Sequence, residues 1–88
     1  MRYEIRWSAA AQKSVARLPE KGAKACVEFV YGGLAQNPQR VGKALRFELE
    51  GLHSARRGDY RVVYLIDDQQ TSITVIAVQH RADVYRPR

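Results

Sequence analysis

Gly58-Asp59-Tyr60-Arg61-Val62-Val63-Tyr64-Leu65-Ile66-Asp67 reads as a β-strand entered through a tight turn. Side chains alternate along a strand, so Tyr60, Val62, Tyr64 and Ile66 face one way and Arg61, Val63 and Leu65 the other. Arg61 is the odd member, because a guanidinium is costly to desolvate in an apolar interior. It is expected at the rim of the sheet, where an anion can reach it. Upstream, residues 52–57 form another strand, and Gly58-Asp59 is a permitted two-residue hairpin loop between the two. Downstream, Asp68-Gln69-Gln70-Thr71 turns the chain back into a strand over residues 72–79. That strand is apolar on both faces from Ile73 to Val78, which places it inside a sheet. It ends polar and basic at Gln79-His80-Arg81.

The N-terminal half supplies the other layer. Residues 2–7 alternate, with Tyr3, Ile5 and Trp7 on one face, and predict a strand. Ser8 is an N-cap, its hydroxyl placed to accept a free N–H of a first helical turn. A helix over 9–18 follows, with Ala11, Val15 and Leu18 on its apolar stripe. Pro19 ends it and opens a second helix over 20–36, with Ala23, Cys26, Val27, Val30 and Leu34 inward. Gly32-Gly33 weakens that helix near its end, by about 1 kcal/mol per glycine relative to alanine. Cys26, on the apolar stripe, reads as a small core residue. After Asn37-Pro38, residues 39–51 read as an extended edge segment, with Leu45, Phe47 and Leu49 alternating against Arg46, Glu48 and Glu50. Residues 82–88 are a short basic tail containing Tyr85. The fold expected is one α+β domain over residues 1–88. Its N-terminal strand and helical hairpin pack on one face of a small, mainly antiparallel four-stranded sheet, and the other face is left open.

Eighty-eight residues suffice for one core without staples. One cysteine excludes a disulfide framework and fits a reducing compartment. No transmembrane run or signal-type apolar segment is present, so a cytoplasmic protein is expected. Fifteen Lys and Arg against nine Asp and Glu give +6, which points to an anionic partner, either nucleic acid or an acidic protein. Zinc-ligand spacing, a phosphate-cradling glycine loop, a nucleophile elbow and the stacking aromatics of an RNA-recognition domain are all missing. No metal or cofactor is expected.

Arg56, Arg57, Arg61, His80, Arg81 and Tyr85 remain. Such a set could cleave RNA without metal. His80 would transfer protons, arginines would stabilise charge on phosphorus, and Tyr85 would stack on a base or donate a proton. Lys43, Arg46, Arg56 and Arg57 are candidate RNA contacts. Composition and spacing leave a second reading open, in which the arginines only bind RNA or an acidic partner and His80 and Tyr85 are structural.

Three segments then carry a resemblance: Leu49-Glu50-Gly51; Ser54-Ala55-Arg56-Arg57-Gly58-Asp59-Tyr60-Arg61-Val62-Val63-Tyr64; and His80-Arg81-Ala82-Asp83-Val84-Tyr85-Arg86. Their order and spacing resemble the RelE/ParE superfamily of bacterial and archaeal toxins over nearly the whole chain. The resemblance implies a toxin of a type II toxin–antitoxin pair. RelE-type members cut mRNA in the ribosomal A site through 2′-OH attack, whereas ParE-type members poison DNA gyrase. A catalytically silent RNA- or partner-binding domain of the same fold is the remaining alternative. By similarity, Arg61 would contact the scissile phosphate, Arg81 would stabilise the transition state and Tyr85 would stack on a base. The RelE pattern carries alternating lysines in the strand before the turn. This chain has His53-Ser54-Ala55-Arg56-Arg57 there, and Lys43 stands near the place where YoeB-like relatives have a glutamate. His80 is therefore the candidate proton-transfer group, with Arg56 assisting at the phosphate. The resemblance also implies an acidic, RelB-like antitoxin that covers the basic face.

Overall fold

The computed structural model describes residues 2–44 and 51–80. Over these residues the chain runs β1 (Glu4–Trp7), α1 (Ala9–Ala16), α2 (Glu20–Phe29), a π-helical turn (Val30–Leu34), α3 (Pro38–Val41), β2 (Lys43–Ala44), β3 (Leu52–Arg57), β4 (Tyr60–Asp67) and β5 (Ser72–His80). The strands form one sheet in the order β1-β5-β4-β3-β2. β5 is interior, as its two apolar faces require. It pairs with β1 in parallel, and the other neighbouring pairs are antiparallel.

The α+β class stands, but the described sheet has five strands and not four. The added strand is β2, two residues long at the far edge. The segment expected to be extended divides in two. Pro38 begins a helical turn, where its missing N–H leaves no helix bond unmade. Gly42 then leads into β2. The alternating positions Leu45, Phe47 and Leu49 lie outside the described residues.

One irregularity decides how the layers join. Val63 pairs with Ala77 but Tyr64 pairs with Val75, so Ile76 is an extra residue in β5. This β-bulge lets Val75 and Val78 both face the helices. It also leaves carbonyls to satisfy, and Ser8 satisfies them. The Ser8 N–H donates to the Val75 carbonyl (3.0 Å), and its hydroxyl donates to the Ile76 carbonyl (3.0 Å). The same hydroxyl accepts from the Ala11 N–H (3.0 Å), so the cap of α1 and the bulge of β5 are one joint.

The core lies between the helices and the face carrying Ala55, Val62, Tyr64, Ile73, Val75 and Val78. Ala11, Cys26, Val30 and Leu34 meet it from the helical side. The second helix does not continue uniformly to residue 36 as expected, but widens into a π turn at Val30–Leu34. Gly32 and Gly33 sit in that turn with nothing near enough to exclude a side chain. The pair therefore marks the place where α-propensity is weakest and the i→i−4 pattern gives way.

Candidate functional site

The β3–β4 hairpin sets the geometry. Gly58 adopts φ +61°, the left-handed conformation that a glycine at the first loop position supplies. With a two-residue loop, Arg57 pairs with Tyr60 and Arg56 with Arg61. On the other side of β4, Tyr60 pairs with His80 and Arg61 with Gln79. Directly paired residues share a face, and successive residues alternate. Arg56, Arg61 and Gln79 therefore form a row on the open face, while Arg57, Tyr60 and His80 form a row on the helix-facing side.

Arg56 and Arg61 of this row border a cleft of about 310 Å³. Arg56 and Arg61 line one wall, Gly42 and Lys43 the other, and Ser54 lies between them. Lys43 is directly across from Ser54. Among the described residues, no carboxylate lines the cleft. Two guanidiniums placed directly opposite each other are destabilising in a sheet unless an anion sits between them.

Lys43 is held in place by a buried tyrosine. The Tyr64 hydroxyl donates to the Pro38 carbonyl at 2.6 Å and fastens α3 to the sheet. A side chain at Gly42 would collide with that hydroxyl and with the Ser54 carbonyl, so only glycine permits this approach. Burial pushes the Tyr64 phenol up to about 12, which keeps it a hydrogen-bond donor. His53 stacks on the Tyr64 ring, with centroids 5.7 Å apart.

The expectation that all the basic strand ends stand at the rim of the open face is corrected for Arg57 and His80. The His80 ring meets Tyr60 edge-on at 5.2 Å, and Tyr60 in turn abuts Gly22 of α2. Arg57 faces Cys26 closely enough to draw its thiol pKa down, but burial outweighs this and pushes the thiol up. Cys26 is thus a buried, protonated core residue, as expected. Of the predicted site residues, Lys43, Arg56 and Arg61 come together, Arg57 and His80 lie on the opposite side, and Arg46, Arg81 and Tyr85 lie outside the described residues. Ser54, Gln79 and Gly42 join the site without having been expected there. The hairpin register reveals Ser54, but Gln79 depends on the bulged β4–β5 pairing, and nothing local in the sequence signals the Gly42–Tyr64 contact.

A sequence profile of the family described as "ParE toxin of type II toxin-antitoxin system, parDE" matches residues 5–85. The chain belongs to the RelE/ParE toxin superfamily. The toxin is 56% identical over 84 residues to Toxin RelE of Mycobacterium tuberculosis, covering 96% of this chain and 87% of that one. It is 48% identical over 86 residues to Toxin RelG of the same organism, covering 98% and 99%. Its fold superposes with a TM-score of 0.89 on a chain of the toxin–antitoxin complex RelBE2 from M. tuberculosis, at 44% identity, covering 92% of this chain and all of that one. The helical layer and sheet are therefore those of a RelE-like toxin. None of its described helices is long and apolar enough to cross a membrane.

Proposed function

We propose that this toxin is a ribosome-dependent endoribonuclease that cuts mRNA in the A site and so inhibits translation. The observation that carries the reading is the Arg56–Arg61 pair on the sheet face opposite the described helices, with Lys43 beside it and no carboxylate among the described lining residues. A phosphodiester supplies an anion to match this pair of cations. In the reaction the ribose 2′-oxygen bonds to phosphorus as the bond to the 5′-oxygen breaks. The 2′-OH proton passes to a base, the 5′-oxygen takes one from an acid, and the products are a 2′,3′-cyclic phosphate and a 5′-hydroxyl. Arg61 and Arg56 hold the phosphate, and fixed cations there need no reorganisation as charge builds. Arg81 and Tyr85 keep the roles that the resemblance assigns, namely charge stabilisation and base stacking. His80, on the helix-facing side, is not assigned the proton transfer. The partner is an acidic, RelB-like antitoxin, in line with the similarity to a chain of the RelBE2 complex and with the +6 charge. A substrate on translating ribosomes places the action in the cytoplasm.

A gyrase-poisoning role is the second reading, favoured by the match to the ParE profile. One experiment separates the two. The toxin and its Arg61→Ala variant are induced in a bacterial host, and primer extension is run on a translated and an untranslated copy of one mRNA. Cuts by the wild type in the translated copy alone, absent in the variant, are expected. Intact mRNA with growth arrest and a DNA-damage response would replace the reading with gyrase poisoning.

A further inference from the structure

A second cavity, of about 440 Å³, opens at the same end of the sheet but on its helix-facing side. α1 and its C-cap supply Ser14 and Arg17, the link to α2 supplies Leu18 and Pro19, and the end of β5 supplies Val78 and His80. Gln79 borders this cavity too, although it belongs to the Arg56–Arg61 row of the open face. The cavity therefore reaches the residue paired with Arg61, and Arg61 lines the cleft.

We infer that this cavity is a nucleotide subsite for single-stranded RNA, taking a base that flanks the phosphate held in the open cleft. The inference rests on the RNA-cleaving role proposed above and extends it from a phosphate clamp to a strand-binding path. Its volume falls within the range of small-ligand sites. Its lining divides as a nucleotide does. Leu18, Pro19 and Val78 give an apolar floor, His80 an aromatic wall, and Arg17 a cation with a planar donor face. Single-stranded RNA is read by such combinations, with bases splayed against aromatic rings and guanidinium planes. Among the described residues, no carboxylate lines the cavity. The wall is preorganised, because Tyr60 holds the His80 ring edge-on and Gly22 leaves room for the Tyr60 hydroxyl. Arg17 is fixed at its backbone, where its N–H caps α1 on the Lys13 and Ser14 carbonyls. An acidic peptide would engage Arg17 alone and leave the apolar floor and ring unmatched.

The test is a titration of the full-length, isotope-labelled toxin with a 2′-O-methylated, hence uncleavable, hexanucleotide RNA, followed by NMR. Amide signals of Ser14, Arg17 and Gln79 and the His80 ring signals are expected to shift together with those of Arg56 and Arg61. Ser14→Leu fills the cavity without changing charge, and Arg17→Gln removes its cation. Each is expected to raise Kd about fivefold or more, the loss of roughly one stacked base. Lys24→Gln removes the same charge from the exposed surface of α2 and should change Kd less than about twofold, since a screened, distant charge contributes little. If Ser14→Leu loses its fold, Arg17→Gln, an exposed position, carries the comparison with Lys24→Gln. Binding lost in Arg61→Ala but unaltered in Ser14→Leu and Arg17→Gln would overturn the subsite and leave the RNA reading standing. No RNA binding by the wild type at either site would overturn both. A poly-glutamate peptide that shifts Ser14 and Arg17 where the RNA does not would assign the cavity to an acidic partner instead.

Discussion

At the scale of single residues, the Arg56–Arg61 pair carries opposite consequences for folding and for function. Like charges directly opposite on a sheet face repel, and cross-strand pairs of this kind are worth roughly 0.2–1 kcal/mol. Arg56→Ala should therefore leave the fold as stable or slightly more stable, by about 0.5 kcal/mol in urea denaturation at low salt. On the proposed cleavage role, the same substitution should lower ribosomal mRNA cleavage at least tenfold, because a charged donor aimed at a developing oxyanion is worth about 1.5–3 kcal/mol or more. Inorganic phosphate should stabilise the wild type more than the variant, since a ligand that binds only the native state raises its stability. A variant that is destabilised and still fully active would show that the pair is structural. His80 separates from this pair by geometry. With its ring on the helix-facing side against Tyr60, His80→Gln should raise KM on programmed ribosomes and leave kcat within about threefold, the pattern of a lost binding contact. A collapse of kcat at unchanged KM would return His80 to the proton-transfer role.

At the scale of elements, two joints hold the site in place, and they differ in how far they can be read from the sequence. Ser8 as the cap of α1 follows from its place between a strand pattern and a helix pattern. Its second bond, to the Ile76 carbonyl, does not, because the bulge at Ile76 arises only where β5 must serve β1 and β4 with different registers. Ser8→Ala removes both bonds and should cost about 1–2 kcal/mol, measurable as a fall in urea midpoint at constant m-value. The hairpin of β3 and β4 is legible to the residue from Arg57-Gly58-Asp59-Tyr60, and with it the placing of Arg61 on the open face. The facing of His80 is not, since it depends on a strand partner distant in sequence. Nor is the seat of Lys43, which depends on Tyr64 reaching across to Pro38.

That second joint has a pH signature. The Tyr64 phenol is raised by burial from its usual 10 to about 12. A raised pKa in the folded state means that the protonated form is the one the fold holds. Its stabilising effect is complete below pH 10 and is lost as pH rises from 10 towards 12. Stability should decline across that window by up to about 1–3 kcal/mol from this group, because a tenfold change in proton affinity corresponds to about 1.4 kcal/mol. Tyr64→Phe should be less stable than the wild type at neutral pH by about 1 kcal/mol, for the lost bond to Pro38, and should lack this component of the alkaline decline. Equal alkaline slopes for the two proteins would show that Tyr64 is not the group responsible.

At the scale of the whole molecule, charge among the described residues is uneven along the strand axis, with Asp59 in the hairpin loop a described carboxylate beside the arginines. Arg56, Arg57 and Arg61 stand at the end where β4 begins and β5 finishes. Glu4, Asp67 and Asp68 stand at the other end, where Asp68 accepts from Tyr3 (2.6 Å) and Gln39 (2.8 Å), and Arg6 pairs with Glu4 at 2.9 Å. The acidic end is thus engaged within the chain, whereas the cleft at the basic end has no carboxylate among its described lining residues. A field of this form orients an anionic partner before contact and raises its association rate, and salt screens it over about 8 Å at physiological ionic strength. Association with the acidic antitoxin proposed above, measured by stopped-flow, should slow about tenfold or more between low and high salt while dissociation changes little. Arg56→Gln with Arg61→Gln should flatten that dependence, whereas Lys24→Gln, on the outer surface of α2, should leave it nearly intact. If the association rate were indifferent to salt and to both arginines, the partner would dock elsewhere, and the open face would be accessible to RNA even in the complex.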